Sequence, residues 1–129
     1  MQIKIILRWA AALFFIAAGA NHFRMPEVYA SVIPPWLPWP RALSDLSGAA
    51  EIFGGLGILI PKVRLAAGWG LIALLAAVFP ANIDMAVHGF RSFPGWILWV
   101  RLPLQLVVAA WIYWTCCSAR KSPDTLLNR

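Results

Sequence analysis

Apolar positions along the chain gather into four long runs separated by short polar or Pro-rich stretches. The first, Ile3 to Phe23, is broken only by Lys4, Arg8 and the pair Asn21-His22, and predicts a helix over about 3–23. The second, Leu46 to Ile60, is short and Gly-rich; Leu43, Ser44 and Asp45 extend it and Pro61 stops it, giving about 43–60. The third, about 63–86, contains Pro80, which is expected to kink or end the helix near Phe79. The fourth, about 96–117, contains Pro103. Each run approaches the roughly 20 residues that a bilayer core demands, and membrane helices tolerate proline where neighbours satisfy the freed carbonyl. The pattern therefore predicts an all-α integral membrane protein, a four-helix bundle of four transmembrane helices in a single domain spanning 1–129. A rival reading takes the first run as a cleaved signal peptide, with Lys4 as its basic start and Ala18-Gly19-Ala20 before the cut. Arg8 and Trp9 spoil its apolar centre, and three more apolar runs need a first partner.

The connections carry the orientation. Between the first two runs, Arg24 to Ser44 interleaves Pro26, Pro34, Pro35, Pro38 and Pro40 with Tyr29, Ile33, Trp36, Leu37 and Trp39. Such a segment cannot be a long helix and is too apolar for water. It reads as an interfacial loop anchored by its Trp residues, or as a lid over a cavity between the helices. Pro61-Lys62 is a tight turn, and Asp84 to Gly95 is a second longer crossing region. An even number of spans collects Lys4, Arg8, Lys62, Arg64, Arg120, Lys121 and Arg129 on one side, against Arg24, Arg41 and Arg91 on the other. That imbalance places both termini in the cytoplasm and, in a bacterium, the two long loops in the periplasm.

Composition agrees with the pattern: of 129 residues, 61% are hydrophobic, 12% are charged and eight are Trp. Soluble domains are roughly 45–50% apolar and 25% charged. The formal charge of +6 sits mainly at the ends of the runs, so it argues for membrane orientation and against a nucleic-acid partner. Cys116 and Cys117 are adjacent, matching neither a disulfide framework nor a CxxC or zinc spacing, and read as small interfacial residues.

Ionisable groups inside a span are costly, so each is a candidate site residue. Arg8 lies near a helix end and snorkels. His22, Glu51, Asn82, Asp84, Arg101 and Gln105 remain. At 1.5 Å per residue, Glu51 lies about 9 Å below the second helix's entry near Asp45, Arg101 about 7–8 Å below Trp96, and Gln105 one turn deeper. His22 and Asn82 come near the same boundary on helices running outward. The expectation is a polar cavity in the outer half of the bundle, lined by His22, Glu51, Asn82, Arg101 and Gln105, with Glu51 and Arg101 directly paired. Ser47, Gly48, Glu51, Gly54 and Gly55 form a small-residue face suited to close helix contact. The pair then serves either as a structural bridge or as a ligand or proton site. His22 and His88 as a bis-His haem is disfavoured because His88 falls in a loop. The sequence holds no nucleophile and base constellation, phosphate loop or metal cluster.

These residues and their surroundings resemble a known family. Gly19-Ala20-Asn21-His22-Phe23, Ile33-Pro34-Pro35-Trp36-Leu37-Pro38, Ser47-Gly48-Ala49-Ala50-Glu51-Ile52, Phe79-Pro80-Ala81-Asn82-Ile83-Asp84-Met85-Ala86 and Arg101-Leu102-Pro103-Leu104-Gln105 are similar, in order, to the DoxX family of small bacterial membrane proteins. The resemblance implies a multi-pass protein of the bacterial inner membrane, linked to quinone-dependent oxidation of reduced sulfur or to thiol redox balance. The leading expectation is an accessory subunit of a redox system whose cavity holds a quinone-like headgroup, with Arg101, Asn82 and Gln105 as donors and Glu51 as proton relay. No cofactor of the chain's own is evident, so enzymatic work needs a redox partner protein to supply electrons. The alternative is a non-enzymatic scaffold, assembly factor or small-solute carrier. The bilayer is the expected partner, and a homo-oligomer is left open.

Overall fold

The computed structural model describes residues 2–91 and 93–118. Its elements are α1 (Gln2–Arg24), α2 (Pro26–Val32), α3 (Pro40–Gly57), α4 (Arg64–His88) and α5 (Gly95–Ile112), the last continued by a π-helical turn, Tyr113–Cys117. Among the described residues, three helices are long and apolar enough to cross a membrane: α1, α4 and the continuous stretch Gly95–Cys117. The chain reads as a multi-pass membrane protein, but the expected four transmembrane helices are corrected to three. The reason lies in α3. Its 18 residues include Arg41, Asp45 and Glu51 beside Ser44, Ser47, Gly48, Gly54, Gly55 and Gly57, leaving too little apolar surface to cross unaided. With the even count gone, placing both termini in the cytoplasm loses its basis. Arg120, Lys121 and Arg129, which entered that argument, lie outside the described residues. The molecule has an α2 end and, opposite it, a cysteine end that carries Cys116 and Cys117.

Proline acts differently at different places. Pro26 opens α2 and Pro40 opens α3, where a missing N–H costs nothing. Pro80 and Pro103 instead lie inside continuous helices, so α4 does not stop near Phe79 but runs on to His88. Residues 84–88, expected in a connection, are therefore helical. The segment read as an irregular loop likewise contains the seven-residue α2.

Packing proceeds from α1 onto α3, α3 onto α4 and α4 onto α5. Toward the cysteine end the interior is closed by Ala11, Ala12, Phe15, Ile58, Leu71 and Ile112, all essentially without exposure. There Arg8 donates from Nε and Nη2 to the Thr115 carbonyl at 3.2 and 2.7 Å, fastening α1 to the π-helical turn. Arg8 thus does more than reach for water: it satisfies a carbonyl near a helix end. At the α2 end α1 and α3 meet backbone to backbone. A Cβ built on Gly19 would lie 2.5 Å from the Gly48 carbonyl oxygen, and one on Gly48 would lie 2.6 Å from His22 Cβ.

Candidate functional site

A cavity of about 520 Å³ lies between α1, α3, α4 and α5, with α2 contributing Val28, Tyr29 and Val32 to its wall and Ile33 following just beyond it. Each long helix lines it at helical spacing: Phe14, Ala18 and His22 on α1, Ser44, Ser47 and Glu51 on α3, and Arg101, Leu104, Gln105 and Val108 on α5. Asn82 joins them from α4, so His22, Glu51, Asn82, Arg101 and Gln105 all face one space. The remaining wall is aromatic and aliphatic. A few polar groups converging in an apolar pocket of this size is the usual form of a small-molecule site.

The polar groups fall into two sets. In the first, His22 Nδ1 lies 3.2 Å from Ser44 Oγ, and its Nε2 lies 3.4 Å from Glu51 Oε2. Tyr29 of α2 covers the same imidazole, with ring centroids 4.0 Å apart. Glu51 Oε2 is buried and accepts no hydrogen bond. Glu51 sits on α3, outside the three spans, and burial pushes its carboxyl up from the ordinary carboxylate range to about 7. The Ser44, His22 and Glu51 side chains thus form a short polar file ending in a proton-holding group at the cavity wall.

In the second set, Asn82 Nδ2 donates to Gln105 Oε1 at 2.5 Å, and Gln105 Nε2 donates to the Leu75 carbonyl. Pro80 has no N–H, which leaves the carbonyl of Ala76, four residues earlier, without its helical donor. Gln105 reaches across from α5 to the neighbouring Leu75 carbonyl, in the same turn. Replacing Gln105 with Leu strands the Asn82 amide in an apolar setting and removes a second donor from the Leu75 carbonyl, and an unsatisfied buried group costs about 1–3 kcal/mol. The Gln105→Leu protein is expected to melt well below the parent in detergent, and Asn82→Leu, Gln105→Leu together to recover part of the loss. A parental melting temperature for Gln105→Leu would show that the bridge carries no weight.

The expected Glu51–Arg101 pair is absent. Glu51 turns toward α1 and finds His22, whereas Arg101 lies at the exposed edge of the cavity and, among the described residues, forms no ion pair. Equal depth on two helices does not put two side chains on facing sides. His88 closes α4 and contacts Asp84 Oδ1 at 3.1 Å, both away from the main cavity. Two participants escaped the sequence reading. Ser44 stands seven residues before Glu51, two helical turns along the same face, so its signal was present. Tyr29 had none, because its helix is hidden in a Pro-rich stretch. Among the described residues no three His, Cys, Asp or Glu side chains converge as a metal site requires.

Residues 11–116 match the model of a domain of unknown function, DUF8561. The chain belongs to this family. No curated protein and no solved structure matches it. The matched residues include the whole cavity wall of this chain, from Phe14 to Val108.

Proposed function

We propose that this DUF8561 chain is an accessory subunit of a membrane redox system, and that its cavity binds a quinone-like headgroup. One observation carries the reading: the buried Glu51 carboxyl, without a hydrogen-bond donor of its own, opens onto an apolar pocket that also presents His22 and Arg101. Reduction of a bound quinone by two electrons would consume two protons: Glu51 would pass one to the ring oxygen beside it, and His22, bound to Ser44, would reprotonate Glu51. The second would come from water at the cavity edge, where the Arg101 guanidinium would hydrogen-bond the other ring oxygen without giving up its proton. The electrons come from a redox partner protein. The resemblance to DoxX proteins supports this reading and a place in a bacterial inner membrane.

A second reading, a non-enzymatic scaffold or assembly factor, draws on Asn82 and Gln105, which spend their hydrogen bonds on each other and on the backbone. Purification in native lipid, followed by extraction, separates the two. The parent is expected to carry a quinone, and Glu51→Gln roughly tenfold less, for the loss of one charge-capable contact. Quinone-free parent protein would overturn the redox reading in favour of the scaffold.

A further inference from the structure

The cavity is not sealed on all sides. Four of its apolar wall residues are about half exposed: Phe14 of α1 and Leu104 of α5, 51% and 53%, midway along their helices, and Met25 and Phe93, 45% and 55%, at the α2 end. A residue that both lines a cavity and faces outward marks a mouth. Phe14 is ten residues from the α2 end of its helix and Leu104 nine from the start of its own, so both lie about 14–15 Å along their spans at 1.5 Å per residue. That is close to the middle of a hydrocarbon core about 30 Å thick. Arg101, exposed as well, borders the same seam one turn nearer the α2 end.

We infer that the cavity takes a molecule already dissolved in the bilayer, one with a compact polar head and a single long apolar chain, which enters sideways through the seam between α1 and α5. The inference rests on the headgroup reading above. The head comes to lie toward Glu51 and His22, and the chain stays in the mouth between Phe14 and Leu104, reaching back into lipid. The chemistry of the mouth selects this class. A water-soluble solute would have to shed its hydration in hydrocarbon before reaching the opening, and the polar wall residue at that depth, Gln105, already spends its amide on Asn82 and the Leu75 carbonyl. An apolar chain leaves lipid for Phe14, Leu104 and Val108 at no such cost. Arg101 marks the level at which the polar head begins.

The test uses the full chain in lipid nanodiscs and two probes: a benzoquinone carrying a ten-carbon chain with a diazirine at its far end, and the same benzoquinone without a chain. The expected result is photolabelling along the seam at Phe14, Leu104 and their outward neighbours, suppressed roughly tenfold or more by excess unlabelled decyl quinone. The chainless quinone is expected to raise the melting temperature of the parent and not of Glu51→Gln. Competable labelling confined to Met25 and Phe93, at the α2 end of the cavity, would overturn sideways entry while leaving the headgroup site standing, provided the chainless quinone still stabilises. Neither labelling nor stabilisation by either probe would overturn both.

Discussion

Substituting Gly48 with Leu is expected to destabilise the protein by about 3 kcal/mol, the upper end of the range for forced overpacking. A side chain at this position meets His22 Cβ and the Gly19 carbonyl, which lie 2.6 and 3.0 Å from where its Cβ must go. Neither neighbour can yield by rotating a flexible terminus: one is the root of a side chain and the other is backbone. The two helices must separate, and His22 then leaves both Ser44 and Glu51. The melting temperature should fall by about 10 °C, and retention of a bound quinone should fall with it. Gly70 supplies the control, since a Cβ there meets nothing within 4 Å. Gly70→Ala should be neutral or stabilising by up to about 1 kcal/mol, because alanine restricts the unfolded chain and favours helix. Equal behaviour of the two variants would mean that α1 and α3 are not in backbone contact.

Stability should also fall as pH rises through the range in which Glu51 titrates. The sign follows from proton counts. With its carboxyl raised from 4.5 to about 7 in the folded protein, Glu51 keeps its proton between those values while the unfolded chain has lost its own. The folded state then binds more protons, so stability decreases with increasing pH across that window. Its contribution is fully present below 4.5 and is lost as pH passes 7. The total is about 3 kcal/mol at 1.36 kcal/mol per pH unit. Melting followed by tryptophan fluorescence from pH 5 to 8 should show the decline in the parent and in His22→Gln, and a flatter profile in Glu51→Gln. A parental slope in Glu51→Gln would assign the titration elsewhere.

The residues of the site were legible in the sequence because polar side chains are rare in long apolar runs, and each one announces itself. His22, Glu51, Asn82, Arg101 and Gln105 were found in this way, and they line one cavity. Their pairing was not legible. Depth follows from counting residues, but the direction a side chain faces depends on helix rotation, and Glu51 therefore met His22 instead of Arg101. The number of spans failed for a related reason. The run from Leu43 to Ile60 looks continuous when apolar residues are counted, yet Asp45 and Glu51 are charge-bearing, and Arg41 joins them once the helix starts at Pro40. Pro80 misled in the other direction: α4 runs through it to His88, and the packing of α4 against α3 and α5 is invisible in the local sequence.

Both ends of the cavity are held by apolar packing, and the α2 end carries exposed polar ties besides. The cysteine end is closed by packed apolar side chains. At the other end α2, which supplies part of the cavity wall, is tied to α3 by Glu27 and Arg41, 3.1 Å apart and 87% and 57% exposed, and toward α5 by Arg91 and Ser31. Charges so exposed are screened within about 8 Å at physiological ionic strength, whereas dispersion and burial are not. Salt concentration is thus a small lever on one end alone: raising it weakens the Glu27–Arg41 tie, worth at most about 1 kcal/mol, while the packing of Val32 on Met85, Ala86 and Leu98 and the floor of the cavity stay as tight as before.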